Sequence, residues 1–165
     1  METTGLDARQ HEIIEIGAIR VNRDSIHHDT FQCLVRPEKK VPPRIETLTG
    51  ITQEMVEQDG IPLEEALQDF LEFCSDLPLV AFNAEFDIGF IRAALRKHKP
   101  GFALTNSVDC ALKLARRAWP GLGSYRLTDL AKMGNLSTEG THRALADCRR
   151  TMTVYASAVL ELEGR

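Results

Sequence analysis

Isoleucines alternate imperfectly with polar residues over 12–21, EIIEIGAIRV, and this pattern predicts a strand. A second strand is predicted over 30–37, TFQCLVRP; the turn-prone NRDS between them makes the pair a hairpin. The stretch VPPRIETLTGIT carries Pro42 and Pro43 and reads as a loop, after which Thr52 caps a short helix through QEMVEQ. Pro62 suits the first turn of a helix whose apolar residues Ala66, Leu67, Phe70, Leu71 and Cys74 recur at threes and fours. LPLVAFN at 77–83 is a short, nearly all-apolar run and predicts a strand buried on both faces. A helix follows through FDIGFIRAALRKHK, with Phe90, Ile91, Ala94 and Leu95 on one stripe. A short strand around SVDC leads into the helix DCALKLARRAW, which Pro120 and Gly121 stop and Trp119 anchors. A helix near RLTDLAKM and a long one from about Thr141 to Leu162 complete the series. Early antiparallel strands, then buried strands alternating with helices, predict an α/β domain over 1–165 with a mixed sheet flanked by helices.

Composition adds limits. With 43% hydrophobic residues in 165 and a net charge of -4, the chain can build a core, and neither disorder nor a polycation is indicated. Charge alone is silent on nucleic acid, because carboxylates that hold divalent cations can still recruit phosphates. Cys33, Cys74, Cys110 and Cys148 show no C-x-x-C pair and read as reduced, buried side chains. No apolar run is long enough to span a bilayer, so a cytoplasmic protein without membrane contact is expected.

Three acids stand at element ends: Glu2 in METTG, Asp87 in NAEFD and Asp147 in HRALAD. Any one of them alone reads as an acid complementing a helix dipole. As an ordered set, ETTG, N-x-x-F-D and H-x-x-x-x-D resemble the DEDD superfamily of 3′-to-5′ exonucleases, in its histidine-bearing DEDDh branch. The similarity covers nearly the whole chain, including EIIEIGAI and the LTGIT loop. It is strongest to the DnaQ-like group, the proofreading subunits of bacterial DNA polymerase III.

The resemblance implies a ribonuclease-H-like sheet and a two-metal site, with Glu2, Asp87 and Asp147 holding two Mg²⁺ or Mn²⁺ ions. The family's first motif reads D-x-E. Glu2 matches its glutamate and Met1 falls on the middle position, so the first aspartate and its strand have no counterpart, and the natural protein is expected to begin upstream. His142 is implied as the general base. Five helical residues turn roughly 500°, so His142 cannot share a helix face with Asp147 and is expected at or before the helix start.

By position, Thr3, Thr4 and Gly5 are expected to hold the 3′-terminal nucleotide through backbone N–H groups and hydroxyls. Asn83 and Phe86 are expected to position the strand end and pack its base; a helix cap and a core side chain are their alternatives. Thr49 matches a family loop near the 3′ end where many relatives carry histidine. Arg143, Arg149 and Arg150 belong to a set of basic residues read mostly as solvated helix faces.

The function expected is a metal-dependent 3′-to-5′ exonuclease acting on single-stranded or frayed DNA 3′ ends and releasing nucleoside 5′-monophosphates. Asp87→Ala or Asp147→Ala is expected to abolish turnover with the fold largely intact. Two rivals stay open: an RNA exonuclease of the RNase T or oligoribonuclease kind, and a noncatalytic nucleic-acid or polymerase-associated module. A DNA polymerase subunit is the candidate protein partner.

Overall fold

The computed structural model describes residues 1–22, 24–135, 137 and 142–164. Strand β1 (Glu2–Thr3) runs antiparallel to β2 (Ile13–Arg20), with Glu2 opposite Glu15 and Thr3 opposite Ile13. The sequence leaves no strand before residue 12, so this two-residue strand corrects that reading. The expected hairpin is present: β3 (Asp29–Leu34) pairs with β2 from Glu15↔Leu34 to Arg20↔Asp29. The imperfect alternation of β2 has a physical cause, because both of its faces are covered. Ile13 and Ile16 join the main core, while Ile14 joins a smaller one with Val41, Ile45, Ile51 and Val56.

That smaller core explains a second correction. The segment predicted as a loop contains helix α1 (Pro43–Thr49), with Pro43 at the first helical position, where a missing N–H costs nothing. Burial of Ile45 gives the helix its packing, and Gly50 ends it at φ 70°. The Thr52 hydroxyl accepts from Met55 N–H (3.2 Å) and caps α2 (Gln53–Gln58) as expected. Helix α3 (Leu63–Cys74) buries Ala66, Leu67, Phe70 and Cys74 against the main core.

The second half alternates strands and helices. β4 (Leu79–Ala81) pairs in parallel with β5 (Val108–Cys110), and α4 (Ala84–His98) joins them. Helices α5 (Ala111–Ala118), α6 (Leu127–Met133) and α7 (Ala144–Glu163) follow. Trp119 anchors the end of α5: its carbonyl accepts from Tyr125 O–H at 2.6 Å and its ring packs beside Ala115, Leu130 and Val154. The start predicted for the last helix, Thr141, lies outside the described residues.

Two expectations about the sheet need correcting. β4 is not buried on both faces, since Val80 is 41% exposed. Among the described residues the strands also form two sheets, β1-β2-β3 and β4-β5, and not one mixed sheet. Strand β1 is only two residues long and pairs with β2 alone among the described strands. Helix α7 lies against β2, β3 and β4 and so ties the two sheets together. Part of the unpaired edge of β2 is met by this helix, where Cys148 Sγ donates to the Gly17 carbonyl (3.2 Å). No helix among the described residues is long and apolar enough to cross a membrane.

Candidate active site

Three separate elements deliver the acids. Glu2 lies on β1, Asp87 in the first turn of α4 and Asp147 in the first turn of α7. The structure brings them into one electrostatic neighbourhood. Burial is the main reason that the Glu2 carboxyl is pushed up to about 7; the Met1 ammonium opposes the shift, and Asp147, Glu15 and Asp87 add to it.

Two of the acids have cationic partners inside the chain. Asp87 Oδ1 lies 3.4 Å from the Met1 ammonium, and Asp147 Oδ1 accepts from Arg150 Nη1 at 2.7 Å. Arg150 is only 5% exposed and also donates to the Ser137 carbonyl, which corrects its reading as a solvated face. The donor set fits a hard divalent cation: it is all carboxylate oxygen, and the crowding that holds the Glu2 proton is what a cation relieves. Among the described residues no three such side chains already converge on one ligating point. Cation binding would therefore exchange these internal partners for the ion.

The raised Glu2 value has a consequence for stability. Unfolded Glu2 titrates near 4.5 and folded Glu2 near 7. The folded state therefore binds the proton more tightly, and its contribution is complete below 4.5 and is lost as pH climbs to 7. In a chelator, the urea midpoint is expected to fall across that interval, with at most ~3 kcal/mol from this group. Glu2→Gln should flatten the slope; an unchanged pH dependence in that variant contradicts the assignment.

His142 stands where the helical-wheel reasoning puts it, in a turn two residues before α7 begins at Ala144. Its φ of 64° lies in the left-handed region, which costs a non-glycine residue ~1–2 kcal/mol, so the surrounding structure has to hold it there. The side chain is half-buried.

The substrate candidates divide. Thr3 and Thr4 are buried, and both hydroxyls are used internally: Thr3 donates to the Gly5 carbonyl (2.6 Å) and Thr4 accepts from Glu12 N–H (2.9 Å). These bonds shape the turn. At Gly5 an added Cβ would stand 2.5 Å from the His11 ring, so any larger residue there requires that ring to shift. Asn83 is exposed at the N-cap of α4 and its side chain makes no capping bond. Phe86 is half-buried at the edge of the main core, tilted against Phe90 at 5.0 Å between ring centres. Thr49 is buried, its hydroxyl donating to the Ile45 carbonyl and accepting from Ile51 N–H, which closes α1.

Sequence reasoning passes over two side chains that touch this neighbourhood, Glu15 and Arg150. Glu15 is 0% exposed on β2, directly across from Glu2. The signal for it was a charge set between Ile14 and Ile16 in a strand with both faces apolar. Arg150 had no signal, since a basic residue one turn after an acid is usual on any exposed helix.

The exonuclease family model RNase_T matches residues 1–155. The chain is 39% identical over 163 residues to the DNA polymerase III epsilon subunit of Aquifex aeolicus, covering 98% of this chain and 79% of that protein. It is 37% identical to a PolC-type DNA polymerase III of Caldanaerobacter subterraneus, matching 99% of this chain but only 11% of that much longer protein. Among solved structures, exonuclease X in complex with 5′ overhanging duplex DNA superposes with a TM-score of 0.70 at 28% identity, covering 99% of this chain and 90% of that one.

Proposed function

The chain belongs to the RNase_T exonuclease family, and we propose that it is a 3′-to-5′ exonuclease acting on single-stranded or frayed DNA ends in proofreading or repair. The observation that carries this reading is that the Glu2 carboxyl feels both Asp87 and Asp147, which come from two other elements, with His142 in a left-handed turn two residues before α7. Glu2, Asp87 and Asp147 would hold two divalent ions, Mg²⁺ or Mn²⁺, whose chemistry at such a site is to acidify water and stabilise charge on the leaving oxygen. His142 takes the proton from the water that attacks the terminal phosphodiester, a task suited to an imidazole near neutrality. The turn at Thr3–Gly5 seats the 3′ nucleotide through its backbone, and Asn83 and Phe86 guide the strand end. Each cycle releases a nucleoside 5′-monophosphate.

DNA is favoured over RNA because the epsilon subunit and exonuclease X, at 39% and 28% identity, resemble this chain more in sequence than the RNA-associated exonuclease structures do at 20%. A polymerase subunit is the proposed partner and the cytoplasm the proposed setting; the four free cysteines suit a reducing compartment. The substrate is tested by competition between DNA and RNA oligomers of one sequence in a single reaction. Preferential shortening of the DNA is expected, and faster loss of the RNA overturns the choice.

A further inference from the structure

A fully buried carboxylate with no place in the chemistry above sits one strand away from Glu2. Glu15 accepts four hydrogen bonds: from Gln32 Nε2 at 2.9 Å, from Arg143 Nε and Nη2 at 3.0 and 2.7 Å, and from the Ala144 backbone N–H at 2.7 Å. Arg143 and Ala144 are the N-cap and first residue of α7, and the Arg143 side chain makes no capping hydrogen bond. Glu15 therefore supplies from β2 the cap that this helix lacks, placing a negative charge at the positive end of a 20-residue helix. A packing contact adds to this. The Gly17 backbone approaches so closely that an added Cβ would lie 2.8 Å from Leu145 N.

We propose that Glu15 is a positioning residue for hydrolysis, fixing the head of α7 and through it the two groups that flank this point, His142 and Asp147. This rests on the functional reading above, in which those two residues act on the scissile bond. The location of the strain supports it. His142 occupies a left-handed conformation immediately before Arg143, so holding Arg143 and Ala144 in register holds the turn that carries the imidazole. The Arg143 guanidinium also lets Glu15 and Glu2 stand opposite each other, because it is paired with the first and feels the field of the second. Partners of this kind, one step removed from the reacting groups, commonly contribute 10–100-fold to activity.

The test uses the full chain and the near-isosteric Glu15→Gln, whose amide still accepts from Ala144 but presents a donor to Arg143. Three quantities are read: kcat and KM on single-stranded DNA, the melting temperature, and hydrogen exchange at Ala144–Ala146. For Glu15→Gln, kcat is expected to fall ~10–100-fold with KM within about threefold, and exchange is expected to rise at the head of α7 but not in its middle. Glu15→Asp, which keeps the charge, should recover part of the loss. A wild-type kcat in Glu15→Gln overturns the proposal, as does a loss accompanied by faster exchange throughout the protein. If the wild-type chain itself degrades no DNA, the functional reading fails, and the exchange measurement still decides whether Glu15 holds the helix.

Discussion

Asp147→Asn is expected to lower 3′ nucleotide release by about 10³-fold while leaving the melting temperature within a few degrees of wild type. The size follows from losing several kcal/mol of charge stabilisation at the reacting phosphate, at ~1.4 kcal/mol for each factor of ten. Asparagine is the informative choice because of Arg150. The guanidinium is nearly fully buried and bound to Asp147 Oδ1, and an amide oxygen continues to accept that bond. Alanine does not, and removing one partner of a buried ion pair costs ~3–5 kcal/mol. The sequence alone gives Asp147→Ala as a substitution that stops turnover and leaves the fold largely intact; the ion pair with Arg150 predicts a cost in stability as well. Circular dichroism melting and initial rates on labelled DNA check the pair, and a stable, active Asp147→Asn removes Asp147 from the site.

The second large effect is at Gly17. An alanine Cβ there would lie 2.9 Å from the Ala144 carbonyl carbon and Cβ as well as 2.8 Å from Leu145 N, closer than packed atoms approach. The head of α7 has to move, and overpacking of this kind costs ~1–3 kcal/mol. A drop of ~2–12 °C in melting temperature is expected for a chain of this size. Activity should fall further than stability explains, since the displaced turn carries His142 and Asp147. Gly89→Ala in α4 is the control, because its Cβ would meet nothing within 4 Å and helix propensity favours alanine by up to ~1 kcal/mol. Equal melting temperatures for the two alanine variants contradict the close approach of β2 and α7.

What the sequence reveals and what it hides follow the range of the interactions. The helices at 63–74, 84–98 and 111–118 were legible because their apolar spacing is local, as are the start of the first at Pro62 and the stop of the last at Pro120. Helix α1 was not, since two prolines mask a segment whose helicity comes from Ile45 docking on Ile14 and Val56. The brevity of β4 was hidden for the same reason, because a strand's exposure depends on neighbours that periodicity cannot supply. At the site, the three acids and the placement of His142 were legible from motif order and helix geometry. Glu15 was not, because its partners on α7 lie 128 and 129 residues away, and Arg150 was not, because an acid followed three residues later by a base looks the same on any exposed helix. The roles of the Thr3 and Thr4 hydroxyls needed coordinates too, since only the fold shows that Glu12 and Gly5 already occupy them.

The most direct measurement follows 5′-labelled single-stranded DNA over time with Mg²⁺ and then Mn²⁺, using Asp147→Asn as the control for contaminating nucleases. A ladder of labelled products shortening one nucleotide at a time from the 3′ end, lost in the control, is the expected result. Immediate release of the label as a mononucleotide, or intact DNA under both metals, contradicts a 3′-to-5′ exonuclease.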